Sequence, residues 1–198
     1  MNAQKYTQKS LEAIQAAQSL ALQHQNQQIE QVHLLGALLQ QEGGLIPQLL
    51  QKMGRAPESL AAAVSKEITK LPSVTGSGRE ADKYYIAREV DQVFQEAESA
   101  AAQMHDDFVS VEHLFLALLT CPDRTLKQLF STYQLQKEAV LQALQTIRGN
   151  QRVTNDNPED TYEALEKFGT DLVKRAREKK MDPVIGRDDE IRNVIRIL

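Results

Sequence analysis

The sequence predicts an all-α fold, built as a pseudo-twofold, duplicated bundle of about eight helices. The first observation is a repeated stretch, IEQVHLLGALL at residues 29–39 and VSVEHLFLALL at residues 109–119. The second is that one offset of 80 residues aligns the two halves without gaps over residues 15–63. The third is helical spacing of apolar residues, with no alternating strand pattern before residue 149. A long period that occurs twice predicts two packed halves and not a solenoid.

Four helices are predicted in the first half. Apolar residues at three-four spacing indicate a helix over residues 7–23, and the repeated stretch follows a polar break. Gly43 ends that second helix, and residues 46–52 form a short third one. Pro57 suits the first turn of a fourth helix, because the backbone N–H that proline lacks would have no partner within the helix at that position.

The second half repeats this plan, with helices predicted over residues 82–105, 110–120, 122–131 and 135–148. In this half the start of the repeated helix carries clearer sequence signals. Ser110 is a natural N-cap, and Glu112 lies in the first turn, where the helix dipole favours a carboxylate.

The composition divides the chain into three regions. A helical domain covers residues 1–148, with halves of about 1–70 and 82–148 joined by a Gly/Ser/Pro loop. Residues 149–161 are polar, with Val153 as the single large apolar side chain, which predicts a flexible linker. Residues 162–198 are charged and helical in pattern. The final helix stops on its own apolar stripe at Leu198, so we expect the natural protein to continue.

Charge and composition exclude several function classes. A net charge of −4, 5% aromatic residues and no Trp argue against nucleic acid as a partner. The single cysteine, Cys121, excludes an internal disulfide and fits a reducing compartment. No apolar run approaches the roughly 20 residues that span a membrane. We therefore expect a cytoplasmic protein that binds no membrane.

The residues that could carry chemistry form no active site. His33 and His113 are candidate metal ligands, but neither has a second ligand at suitable spacing. Glu112 and His113 are adjacent in the helix and do not face each other, so they make a poor acid–base pair. Each histidine is predicted to hydrogen-bond near a helix start. No G-x-x-x-x-G-K-[ST] motif occurs, so we expect no catalytic residue, metal or bound cofactor in this chain.

Two stretches resemble the Clp/AAA+ chaperone family. VEHLFLALL at residues 111–119 and, more weakly, QVHLLGALL at residues 31–39 resemble the Clp N-terminal repeat, with Val32 where that family has Glu. LEKFG at residues 165–169 and DPVIGRD at residues 182–188 resemble the entry into the first AAA+ module of ClpB-type chaperones. The resemblance covers essentially the whole chain.

The resemblance implies a parent protein that is a hexameric, ATP- and Mg-dependent disaggregase with a coiled-coil middle domain, working with the DnaK chaperone system. Val184, Ile185 and Gly186 would lie beside the nucleotide. The phosphate-binding and hydrolytic residues of the family would lie beyond Leu198, so this chain is expected to be a monomer without ATPase activity.

Two four-helix halves leave a seam, which predicts a groove that takes apolar segments of unfolded or aggregated proteins. The same resemblance assigns substrate binding to Thr7, Asp106 and Glu112. Their alternative roles are a helix start, a loop charge and a charge that offsets the helix dipole. A rival function is that of a ClpC- or ClpA-type domain, which docks adaptors for a protease. A free-standing adaptor is disfavoured, because it has no use for the DPVIG stretch.

Overall fold

The computed structural model describes residues 2–74, 84–149, 151–158, 177 and 186–197. The chain divides into two units, Met1–Tyr162 and Glu163–Leu198. The described part of the first unit contains eight α-helices, four in each half, which confirms the predicted all-α fold with a duplicated bundle. They are α1 (Gln8–Gln23), α2 (Gln31–Gln40), α3 (Leu45–Lys52), α4 (Pro57–Lys70), α5 (Arg88–Gln103), α6 (Val111–Thr120), α7 (Arg124–Thr132) and α8 (Lys137–Arg148).

The two copies of the repeated stretch form the centre of the bundle. Nearly every residue of α2 and α6 is buried, and the two helices contact each other across the seam between the halves. Helix α1 packs on α2, and α5 packs on α6. Helix α4 also packs on α2, and α8 also packs on α6. A helix that is apolar all round must be buried, which explains why the most hydrophobic stretches are central.

Helix starts follow the residues that the sequence indicated. The Thr7 hydroxyl accepts a hydrogen bond from the Ser10 N–H at 3.2 Å, and Ser110 is the N-cap of α6, as predicted. Pro57 occupies the first turn of α4, which is also confirmed. Helix α7 begins after Asp123, whose carboxylate accepts from the Leu126 N–H at 2.8 Å. The sequence prediction placed this start two residues early.

A short parallel ribbon joins the two halves. Strands β1 (Gln28–Ile29) and β2 (Tyr85–Ile86) pair with Ile29 beside Ile86. The isolated bridge between Tyr6 and Val109 is the counterpart of this pair at the 80-residue offset. The sequence shows no alternating pattern at these strands, because a two-residue strand is too short to show alternation. The ribbon also delays the start of α5 to Arg88, six residues later than predicted.

The segment of residues 151–156, here called the docked segment, packs on the helical unit. Val153 is fully buried, and its C=O accepts from the Asp107 N–H at 2.9 Å. The Asp156 C=O accepts from the Gln8 N–H at 2.8 Å. The polar composition of residues 149–161 predicted a flexible linker and did not indicate this packing. One apolar side chain and several backbone hydrogen bonds suffice to hold it.

The second unit is described by helix α9 (Asp188–Ile197) and a few neighbouring residues. Val194 and Ile195 are 55% and 70% exposed. The predicted helices over residues 162–180 fall almost wholly outside the described residues. The boundaries predicted for the linker and the tail stay predictions.

Candidate functional site

An apolar cleft, here called the seam cleft, lies where the two halves meet. Ile14 and Phe94 occupy equivalent positions in the two halves, and both line it, so the cleft straddles the pseudo-twofold axis. Its volume of about 110 Å³ suits one apolar side chain. The lining residues come from α1, β1, α2, β2 with the residue before it, and α5: Ile14, Ala17, Gln18, Ile29, Leu34, Tyr84, Ile86, Val90 and Phe94.

The cleft is open on one side of the axis because equivalent positions carry different side chains. Tyr6 is 2% exposed, and its ring meets Phe94 edge-on at a centroid distance of 6.4 Å. The Tyr6 hydroxyl donates to the Glu98 carboxylate at 3.3 Å, and burial raises the pKa of Tyr6. Ile86, the counterpart of Tyr6, has no ring to fill its side of the seam and is 47% exposed.

The mouth of the seam cleft exposes an apolar side chain. Ile86 lines the cleft beside Tyr84 and is one of five large hydrophobic side chains that are exposed among the described residues. Single exposed apolar residues are common on protein surfaces, but one that lines an apolar cleft indicates a binding surface. This arrangement can bury an apolar side chain from another polypeptide.

A charged cluster of Asp106, Glu112 and Arg148 lies inside the second half. The Arg148 guanidinium pairs with Asp106, and its Nη1 lies 3.7 Å from Glu112 Oε1. Nε2 of His113 contacts Asp106 Oδ2 at 3.0 Å. Burial alone would raise the pKa of Asp106, but hydrogen bonds from His113, Arg148 and the Val153 N–H, with the charge of Arg148, lower it to about 2.

The first half has an uncharged version of the same cluster. At the 80-residue offset Asn26 stands for Asp106, Val32 for Glu112 and Ile68 for Arg148. Val32 and Ile68 are each 1% exposed, so an apolar contact replaces the ion pair. The charges are therefore not a requirement of the helix arrangement.

The two histidines at equivalent positions of the repeat, His33 and His113, hydrogen-bond to helix starts, as the sequence predicted. Nδ1 of His33 accepts from the Glu30 N–H at 3.0 Å, and Nδ1 of His113 accepts from the Ser110 N–H at 3.0 Å. Nε2 of His33 contacts Asn26 Oδ1 at 3.1 Å. Burial lowers the pKa of His33 to about 4, with a smaller contribution from His24, so its ring is neutral at pH 7.

Of the three residues predicted to bind substrate, Asp106 and Glu112 lie together, and none of the three lines the seam cleft. The side chains of Asp106 and Glu112 are fully buried, and so is Thr7 as a whole. Glu112 and Asp106 share Arg148, while Thr7 caps α1 beside the docked segment. Their role in substrate binding stays a prediction.

Of the three predicted nucleotide contacts, the structure describes one. Gly186 is exposed with a φ of 77°, while residues 184 and 185 lie outside the described residues. Within the described ranges, no cluster of His, Cys, Asp and Glu could hold a metal ion. Sequence reasoning missed Tyr84 and Ile86 of the seam cleft. Their signal was a run of three large apolar residues, 84–86, directly after the Gly/Ser loop.

No helix among the described residues is long and apolar enough to cross a membrane.

Chaperone protein ClpB of Bacillus anthracis is 50% identical over 198 residues, which cover 100% of this chain. The chain spans 23% of the length of that relative.

Solved structures share the fold. The Hsp104 N-terminal domain from Candida albicans superposes with a TM-score of 0.68 at 24% identity, covering 78% of this chain and 99% of that one. The ClpV N-domain, in complex with a VipB peptide, gives a TM-score of 0.52 at 21% identity over 71% of this chain and 89% of that one. The Clp repeat (R) N-terminal domain family matches residues 5–133. The chain therefore belongs to the Clp repeat N-terminal domain family and is similar throughout its length to the N-terminal part of ClpB chaperones.

Proposed function

We propose that this chain captures exposed apolar segments of unfolded or aggregated proteins in the seam cleft, as the substrate-recognition domain of a protein disaggregase. The observation that carries the proposal is the cleft itself, open beside the exposed Ile86. Burial of one large aliphatic side chain contributes about 1.5–3 kcal/mol. A site for one such side chain gives weak, reversible binding, with dissociation constants of about 1 μM or higher.

The relatives support this role. The ClpB relative is named as a chaperone, and the ClpV N-domain of the same fold was solved with a peptide bound. We further propose that the whole protein is a hexamer that uses ATP and Mg and works with the DnaK system. In it, Val184, Ile185 and Gly186 would contact the nucleotide. This chain has no G-x-x-x-x-G-K-[ST] motif, so hydrolysis is assigned to the remainder of the protein.

The proposal for Thr7, Asp106 and Glu112 takes a specific form. Since their side chains are buried, direct contact with a substrate requires local opening, while support of the nearby surface does not. Substitution of these residues is therefore expected to change substrate binding through the position of the docked segment and of α1.

An NMR titration with a permanently unfolded protein tests the function. We expect amide shifts around the seam cleft, and Ile86→Lys should abolish them because a charge at its mouth opposes burial of an apolar side chain. Leu141→Lys is the matched control, since Leu141 is also exposed, at 37%, but does not line this cleft.

Equal binding by both variants would contradict the proposal. Binding of a folded partner protein at the cleft, with no shifts from unfolded protein, would favour adaptor docking instead.

A further inference from the structure

The edge of β2 offers a backbone site beside the seam cleft. In the parallel ribbon the Tyr85 N–H donates to the Gln27 C=O at 2.9 Å, and the Ala87 N–H donates to the Ile29 C=O at 3.0 Å. Backbone groups alternate in direction along a strand, so the N–H and C=O of Ile86 point away from β1. Among the described residues, neither group has a hydrogen-bonding partner.

The two faces of this ribbon have different chemistry. Ile29 and Ile86 share one face and line the apolar seam cleft. Gln28 and its partner Tyr85 lie on the opposite face, where Gln28 lines a second pocket with Ala87. That pocket has a volume of about 490 Å³. Its charged lining consists of Glu30, Glu89, Asp123 and the exposed Arg124.

The carboxylates of this pocket repel one another. Burial raises the pKa of Glu30, and the nearby charges of Asp123 and Glu89 raise it further. Glu89 is exposed, and Arg124 supplies one opposing charge against three carboxylates. A positively charged side chain in the pocket would relieve this repulsion.

We propose that the seam cleft binds an extended polypeptide segment that adds a strand to the edge of β2 and carries alternating apolar and basic side chains. The alternation follows from strand geometry, since successive side chains of an added strand point to opposite faces. One set enters the seam cleft, and the other reaches the carboxylates of the second pocket. This inference rests on the proposed function and specifies its substrate class.

Peptides of matched composition test the pattern. One peptide alternates valine with lysine over eight residues, a second carries the same residues in two blocks, and two others replace lysine by glutamine or glutamate. We expect the alternating lysine peptide to bind the full chain best, at low salt, by about two- to fivefold over the glutamine peptide. The difference should shrink at high salt, because exposed charges are screened.

Two further measurements address the geometry. N-methylation of alternate peptide residues should weaken binding for one parity and not the other, because only alternate N–H groups face Ile86. Glu89→Gln should reduce the preference for lysine. Glu58→Gln should not, since Glu58 is also a first-turn carboxylate but lies on α4, outside both pockets.

The outcomes separate this inference from the proposed function. If unfolded protein shifts the cleft amides while the lysine and glutamate peptides bind equally, or while N-methylation shows no parity, strand addition with basic residues is wrong and the capture function stands. If no apolar chain binds at the cleft, the function itself is wrong.

A second inference concerns the docked segment and rests on the charged cluster alone. Asp106 Oδ1 accepts from the Val153 N–H at 2.8 Å, and Arg148 donates to the Gln151 C=O. Arg152 donates to the His105 C=O at 2.7 Å. In the first half a side-chain amide makes the equivalent contact, since Asn26 Nδ2 donates to the Pro72 C=O at 3.0 Å.

Comparison of the two halves separates two roles of the charged cluster, which are support of the helix arrangement and retention of residues 151–156. The helix arrangement needs no charge, as the first half shows, so the charges act on the chain that leaves the domain. We infer that Asp106 and Arg148 are positioning residues that hold residues 151–156 against the domain and so shorten its tether. Release of these six residues would lengthen the tether by about 20 Å when extended.

Amide hydrogen exchange of the full chain tests this inference. The variant D106N/E112V/R148I gives the second half the residues of the first, and we expect it to fold but to lose protection at Val153. Val153→Asp tests the same docking with the cluster intact and should also lose protection. Retained protection in a folded triple variant would overturn the inference. So would failure of the triple variant to fold while Val153→Asp folds with residues 151–156 still protected.

Discussion

Replacement of Asp106 by asparagine removes the central charge of the buried cluster without changing its shape. The pKa of Asp106 falls from 3.8 to about 2 on folding. A depressed carboxylate pKa stabilises the fold above pH 3.8, and this stabilisation disappears as the pH falls through 2. At 1.36 kcal/mol per pKa unit, the ionised group contributes about 2 kcal/mol at pH 7.

Urea unfolding measures this contribution. Asp106→Asn should lower the free energy of unfolding by about 2 kcal/mol at pH 7 and by about half as much at pH 3. The corresponding fall in Tm is about 4–8 °C for a domain of this size. Asp107→Asn is the matched control, because Asp107 is the exposed neighbour and should change stability by less than about 0.5 kcal/mol. A variant within 0.5 kcal/mol of the unaltered chain at pH 7 would refute this account of the cluster.

Other perturbations test the rest of the structure. The pKa of His33 falls to about 4 on folding, so about 3 kcal/mol of stability that is present above pH 6.5 should be lost progressively between pH 6.5 and 4. In unfolding measurements, His33→Gln should flatten this pH dependence. Gln31→Leu should cost about 1–3 kcal/mol in urea unfolding, because Gln31 accepts from the Asp123 N–H and donates to the Cys121 C=O across the seam. The pure chain should release no phosphate from ATP above a buffer blank. Light scattering should report a monomer, and a hexamer would show that contacts outside an ATPase module suffice for assembly.

The sequence predicted the fold well because its strongest signals are local and duplicated. The apolar stripes of α2 and α6, the start of α6 after Ser110 and Pro57 in the first turn of α4 each depend on a few neighbouring residues. An offset shared by the two halves then implies their pseudo-twofold packing without knowledge of any contact between them.

The features that escaped prediction depend on contacts between distant residues. A two-residue strand such as β2 is defined by its partner, 57 residues away in the pairing of Tyr85 with Gln28, and not by its own pattern. Val153 is the single large apolar residue of its span, and only the fold shows that a buried position accepts it. Ile68 and Arg148 occupy equivalent positions, but no local pattern reveals that the second one binds Asp106 and Glu112.

The seam cleft shows the same limitation for function. The resemblance pointed to Thr7, Asp106 and Glu112, whose side chains the structure places inside the domain. The exposed mouth of the cleft is formed by Ile86 beside Tyr84, and its openness results from the contrast between Ile86 and the buried ring of Tyr6. That contrast was present in the aligned halves, but its consequence depends on the pseudo-twofold axis passing between α1 and α5.

Site-specific photo-crosslinking from the rim of the cleft tests the central claim most directly. A benzophenone-bearing residue at position 84 should crosslink to an unfolded protein and not to the same protein when folded, because Tyr84 lines the seam cleft and is partly exposed. The same residue at position 141 reports the background for an exposed apolar site elsewhere. A yield at position 84 that is well above this background, and that falls when Ile86 is changed to lysine, is the predicted result. Equal yields at the two positions would contradict capture of unfolded chains at the seam cleft.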